Sequence, residues 1–305
     1  MDRLLKRLEN SKLFIWGLIL LITIIWGYAW VVMKEALVYM GPYTFSFFRF
    51  LSGSAALFVV LWLSKQTFPI KPYRKQLMIQ GLLQTTAVFL LVMFALQFVG
   101  AGKSSVLLYS MPIWGSLLAA KFLHEKLTAA GIIGLIFGLG GLLFMIGWDV
   151  FVATDKDIII GQLLIVFAAV VWAASNVYFR LNLQHLPKTA TTAWQMAFGT
   201  IGLLIAALLF EWGEPVQLNV YSIYLVLFSG VVASALCFTI WFLLLSLVDM
   251  MTATISSMFV PVFGIIFSSL LLKEPLTINL LFGSFAIITG IVISQMKGKK
   301  RSKAR

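Results

Sequence analysis

The sequence predicts an all-α membrane protein: ten transmembrane helices in two five-helix repeats of opposite orientation, with both termini on the cytoplasmic side. Three observations predict it. First, 61% of the 305 residues are hydrophobic and 11% are charged, with a mean hydropathy of +1.00. Soluble domains carry about a quarter charged residues, so a chain this apolar cannot cover its surface with polar groups and has lipid as its main solvent. Second, the apolar residues fall into ten runs close to the about 20 residues that a helix needs to cross the hydrocarbon core. Third, the last five runs repeat landmarks of the first five.

The runs are 14–33, 43–63, 76–97, 103–123, 129–148, 158–179, 190–210, 221–245, 252–272 and 276–295. The first follows a basic stretch (Arg3, Lys6, Arg7, Lys12), as a signal peptide would. Its length and the lack of a small-x-small cleavage site predict a retained helix. The second carries Arg49, a charge inside an apolar span. The third follows Lys71, Arg74 and Lys75. The fourth and ninth contain Pro112 and Pro261, each of which removes a backbone hydrogen bond and kinks the axis. The fifth carries Gly134-x-x-x-Gly138, a spacing that lets helices pack closely. The sixth to eighth are separated by polar breaks, one of them near Glu211 to Asn219. Lys273-Glu274-Pro275 joins the ninth to the tenth, a break so short that the two must run antiparallel.

Orientation follows from the basic residues, which concentrate in cytoplasmic loops. With the N-terminus inside, eighteen of the 23 Lys and Arg face the cytoplasm, six of them in the tail 296–305. Lys34, Lys103, Lys156 and Lys273 face out, and Arg49 lies within a span. The net charge of +12 is therefore a set of helix flanks and does not indicate a nucleic-acid partner. Cys237 is the single cysteine, so neither an internal disulfide nor a cysteine metal site can form, and no cofactor is expected. The expected partners are a small-molecule solute and the lipid bilayer, and a monomer is sufficient for both.

The repeat has a measurable register. An offset of 146 carries Ile25-Trp26 onto Val171-Trp172, Lys34 onto Arg180 and Arg49 onto Gln195. An offset of 149 carries Gly81 onto Gly230, Pro112 onto Pro261, Gly115 onto Gly264, Glu125 onto Glu274, Gly134 onto Gly283 and Gly141 onto Gly290. Three extra residues in the loop near Glu211 to Asn219 account for the change. Because each half (14–148 and 158–295) has an odd number of spans, the second enters the membrane from the opposite side. Inverted repeats are a recurring plan of secondary transporters, with the solute site near the midplane between the halves.

These paired motifs carry a resemblance. Trp26-Gly27 with Lys34, Phe48-Arg49-Phe50, Phe238 to Leu245, Pro112 and Pro261 all contribute to it. So do His124-Glu125-Lys126-Leu127-Thr128 and Lys273-Glu274-Pro275-Leu276-Thr277. In their order and duplication the chain resembles the drug/metabolite transporter superfamily, in its ten-helix EamA-type branch. The resemblance implies two EamA domains, a central cavity lined by both repeats, and solutes such as amino acids and related metabolites, commonly exported.

Candidate cavity residues are Trp26, Arg49, Gln84, Phe89, Tyr109, Trp172, Asn176, Trp241 and Ser257. Burying a charge in lipid costs at least about 2.5 kcal/mol, so Arg49 must face protein or water. It is read either as an anion-attracting or gate-forming group or as a structural arginine bonding helix-end carbonyls. The three tryptophans lie deep, away from the interfacial belt where tryptophan collects, and serve as cavity wall or helix packing. Gln84, Asn176 and Ser257 need polar partners at depth. Pro112 and Pro261 are candidate hinges. No Asp or Glu falls at mid-span, which argues against coupling through a central protonated carboxylate. Both histidines, His124 and His185, fall in loops, with no buried Ser–His pair for an intramembrane enzyme. A channel would need a continuous polar lining, which the spans lack. Carriage of a small metabolite by alternating access is the function expected.

Overall fold

The computed structural model describes residues 12–65, 70–124, 129–151, 155–247 and 259–295. Ser257, Glu125, Asp249 and the tail 296–305 lie outside the described residues. The described residues are helical, with no strand among them. The first five membrane helices are α1 (Lys12–Ala36), α2 (Pro42–Leu63), α3 (Lys71–Ala95), α4 (Ala101–Phe122) and α5 (Ala129–Phe151). The second five are α6 (Lys156–Asn182), α7 (Lys188–Phe210), α8 (Val220–Leu227 continuing through Phe228–Leu236 and Cys237–Leu247), α9 (Phe259–Leu271) and α10 (Ile278–Gln295). Eight are long and apolar enough to cross a membrane, and α9 and α10 are shorter apolar helices. Trp62, Leu209, Phe210, Leu270 and Phe285 are each more than two-thirds exposed, as a lipid-facing surface requires.

Two helices depart from α geometry at matched places. Leu82–Ala87 of α3 and Phe228–Leu236 of α8 are π-helical, and the offset of 149 superimposes them. In α8 the wide turn is stabilised by Ser234, whose hydroxyl donates to the Ser229 carbonyl five residues back at 2.8 Å. π turns insert a residue into the helix, swing side chains out of register and are frequent at functional sites. α4 breaks outright: Ala101–Leu108 ends at Tyr109 and a new helix starts at Met111, with Pro112 in its first turn, where a missing N–H costs nothing.

The repeat-matched glycines are contact points. A Cβ at Gly53 would stand 2.7 Å from the Gly230 carbonyl oxygen, and one at Gly199 would stand 2.7 Å from that of Gly81. A Cβ at Gly230 would meet the Arg49 carbonyl at 2.4 Å, and one at Gly81 that of Gln195 at 2.3 Å. The α2–α8 and α7–α3 contacts are thus images of each other. The α5–α10 pair is its own image: Gly141 meets the Gly283 carbonyl at 2.8 Å and Gly290 that of Gly134 at 2.6 Å. Without side chains between them these backbones lie closer than larger residues would allow, which is how membrane helices gain dispersion contact.

At the end of the bundle where α1 meets α2, charged side chains cap helix ends across the repeats. The Glu211 carboxylate accepts from the backbone N–H of Tyr43 and Thr44, both at 2.8 Å, and from the Thr44 hydroxyl at 2.7 Å. The Glu274 carboxylate accepts from the N–H groups of Ala101 at 2.7 Å and Gly102 at 3.0 Å. A carboxylate is stabilised at a helix N-terminus by the unpaired N–H groups and the dipole. Gly41 and Gly100 make the room: a Cβ there would stand 2.3 Å and 2.8 Å from the respective carboxyl carbons. The Lys34 ammonium does the converse, donating to the carbonyls of Leu96 and Val99 at the α3 C-terminus.

Candidate functional site

Arg49 is 5% exposed and reaches from α2 into the contact of four helices. Its Nη1 donates to the Met33 sulfur of α1 at 2.8 Å, and its Nε to the Ser234 hydroxyl in the π turn of α8 at 3.3 Å. The guanidinium carbon stands 4.7 Å from the Phe89 ring centroid of α3 and 5.2 Å from that of Phe50. No described carboxylate lies within ion-pair distance of it. The structural alternative for Arg49, bonding to helix-end carbonyls, is a role that Lys34 fills instead.

The inverted repeat supplies an internal comparison. Gln195, at the position equivalent to Arg49, accepts from the Thr85 hydroxyl at 3.3 Å, and Thr85 lies in the π turn of α3 where Ser234 lies in that of α8. A polar link at equivalent positions joins α2 to α8 and α7 to α3, with a donating charge in one copy and an accepting neutral amide in the other.

Other candidates pack in the adjoining core or against the α8 π turn. Tyr109 stands at the α4 break, half-buried, and its hydroxyl has no hydrogen-bond partner among the described residues. Phe89, Tyr109 and Trp172 pack against the same core cluster, which includes Met33, Phe45 and Val88. Cys237 is buried at the end of the α8 π turn. The Trp26 indole donates to the Ala233 carbonyl at 2.8 Å, next to Ser234, and its ring sits 5.9 Å from both Trp241 and Phe238. The long bonds of the π turn leave that carbonyl available to an outside donor.

Two amides fall outside this group. Gln84 is half-buried and accepts from Gln80 at 2.6 Å within α3, while Asn176 is exposed on α6. Pro261 is buried in the first described turn of α9. Two apolar clefts of about 450 and 460 Å³ lie between α2 and α7 and between α5 and α10, and neither contains a candidate residue.

Sequence reasoning missed a second polar cluster. α5 extends past the expected end at 148 and carries Asp149 into burial, 7% exposed. Lys103 pairs with it at 2.6 Å, Asn279 donates to it at 2.9 Å, and Gln162 donates to it as well. Four helices meet on this carboxylate near the α1–α2 end. Trp148-Asp149 reads as a span end, so only the spacing of Lys103, Gln162 and Asn279 from their own helix starts could have shown the match.

An all-helical membrane protein built on two repeats, with π turns at matched positions and a buried cation among aromatic groups between the halves, has the plan of a transporter. Comparison with known proteins gives the family: the chain matches the EamA-like transporter family over residues 13–147 and 159–296, and it belongs to that family. It is 32% identical over 284 residues to Bacillus subtilis YoaV, described as an uncharacterized transporter, covering 93% of this chain and 97% of that one. It is 26% identical over 297 residues to a Salmonella typhimurium protein described as a probable amino-acid metabolite efflux pump, covering 94% and 97% of the two chains. A solved crystal structure shares the fold with a TM-score of 0.65 at 15% identity, covering 93% of this chain and 98% of that one.

Proposed function

We propose that this transporter exports a small metabolite, an amino acid or a related compound, across the cytoplasmic membrane by alternating access, with both termini in the cytoplasm. The observation that carries the mechanism is the pair of equivalent links, Arg49–Ser234 and Gln195–Thr85, each backed by a glycine contact of the same length. Two halves with interchangeable packing can exchange conformations and so open a central site to either side in turn. With the N-terminus inside, the capped α1–α2 end is the outer one. The Lys34, Glu211 and Glu274 caps close the carrier there, and α4 articulates at Tyr109 to Pro112, with Pro261 as the matching hinge of α9.

Arg49, Phe89, Tyr109, Trp172, Trp26 and Trp241 form the solute site, with Gln84 and Asn176 along its approaches; Ser257, the remaining candidate, lies outside the described residues. The names of the Salmonella typhimurium relative and of an Escherichia coli relative with the same description, 25% identical over 286 residues, support the solute class. Proteoliposomes containing the purified chain test the reading. Labelled solute should accumulate transiently against a preloaded unlabelled pool, and initial rates should saturate. Flux that rises linearly with concentration and shows no counterflow would make the protein a pore.

A further inference from the structure

Resting on the transporter reading above, we infer that the central site takes a solute of one net negative charge, a carboxylate on an apolar body, with Arg49 as its counter-ion. Three observations converge on it. The first is the comparison that the repeat makes within one chain. Gln195 occupies the Arg49 position in the other half and is likewise linked to a π-turn hydroxyl at 3.3 Å, accepting from Thr85 where Arg49 donates to Ser234. The carbonyl–glycine contact beside it is the same to within a tenth of an ångström. Packing at this position is therefore met by a neutral side chain, and the charge of Arg49 exceeds what the architecture requires.

The second observation is that the charge is poorly compensated. A guanidinium has five N–H donors, and among the described residues Arg49 engages two acceptors: a thioether, which accepts weakly, and a hydroxyl at 3.3 Å. The Phe50 and Phe89 faces add cation–π attraction. A buried charge without a counter-ion is costly and is retained where an anion completes it. The planar fork that remains matches a carboxylate in bidentate geometry.

The third observation sets the charge of the solute. Among the described residues no second cation contacts the Arg49 surroundings; Lys34 is engaged on the α3 carbonyls and Lys103 on Asp149. A site holding one cation is neutralised by a monoanion, and a dianionic phosphate would leave a buried negative charge. The Met33, Phe50 and Phe89 side chains around it favour an apolar body.

The full-length chain in detergent provides the test, using 3-phenylpropionate, 4-methylpentanoate, phenethylamine and 3-phenylpropionamide as probes of thermal unfolding. The two acids should raise the midpoint of the wild type in a saturable way, and the amine and the amide should not. Arg49→Gln should fold with an unliganded midpoint no lower than wild type, as its equivalent does in the other half, and should bind the acids about 10- to 100-fold more weakly. Arg49→Lys keeps the charge, so it should retain the preference for acid over amine at reduced affinity. That variant carries the test where Arg49→Gln fails to accumulate. Equal binding of acid and amine, undiminished acid binding by Arg49→Gln, or no shift with either acid overturns the inference. Counterflow separates this from the transport reading: exchange of a cationic or neutral solute without acid binding sinks the anchor alone, and acid binding without any counterflow sinks the transporter reading alone.

Discussion

The matched glycine contacts lead to a quantitative prediction. In Gly230→Ala the added methyl would stand 2.4 Å from the Arg49 carbonyl oxygen, and in Gly81→Ala 2.3 Å from that of Gln195, against about 3.4 Å for ordinary contact. The Ser52 hydroxyl, 2.0 Å from the Gly230 methyl, can rotate away, but the carbonyls are backbone and cannot. Each pair of helices must therefore separate by about 1 Å along its contact. Overpacking of this kind costs about 3 kcal/mol at the upper end of its usual range, and the gain in helix propensity from Gly to Ala returns up to about 1. The expected net loss is about 2 kcal/mol for each variant. Gly17→Ala and Gly140→Ala are controls: nothing lies within 4 Å of either methyl, and both should be neutral or slightly stabilising. Unfolding in a graded denaturing detergent, followed by tryptophan fluorescence, reads the difference. The two contacts share no residues, so the double variant should show the sum within about 0.5 kcal/mol. Midpoints for Gly230→Ala and Gly81→Ala no lower than those of the controls would refute both the packing and the structural equivalence of the halves.

Other predictions follow from individual contacts. Glu274→Ala removes two charge-assisted bonds from the α4 N-terminus and should destabilise by about 1–2 kcal/mol, with Glu274→Gln losing less; detergent unfolding measures both. Asp149→Asn leaves the Lys103 ammonium without its counter-ion and should cost about 3 kcal/mol, whereas the Lys103→Met, Asp149→Asn double variant should recover part of the loss. Trp241→Ala should lower initial rates of flux in proteoliposomes with folded yield unchanged; equal loss of both would make it a packing group. Pro112→Ala lets α4 close its hydrogen-bond ladder across Tyr109 and should slow turnover more than it weakens binding, read as kcat against KM in saturation kinetics.

The number of helices, their halves and their register were legible in the sequence because hydropathy and rare residues report them directly. Gly81, Gly134, Gly141 and their equivalents stood out as coincidences at a fixed offset, and each is a backbone contact in the fold. The offset that aligned Arg49 with Gln195 anticipated the pairing of their links, but not Ser234 and Thr85 as the partners. Those depend on π turns, which change side-chain direction without a distinctive composition. The caps were illegible for a similar reason. Glu211 and Glu274 look like loop carboxylates, and their role emerges only when a helix from the other half starts beside them. Asp149 was hidden by one helical turn of boundary uncertainty, as terminal residues commonly are.

The lone charge of Arg49 bears on how the cell could drive the carrier. If the loaded site is neutral and the empty site carries one positive charge, each cycle moves one net negative charge outward. The empty form returns toward the negative cytoplasm as a cation does, with the electric field. A potential of about 100 mV then contributes about 2.3 kcal/mol per cycle, enough to sustain a roughly fifty-fold concentration ratio across the membrane. Export of a metabolic acid would be electrogenic and would draw on the resting voltage alone, with no sodium or proton gradient consumed and no coupling site for either ion needed between the halves.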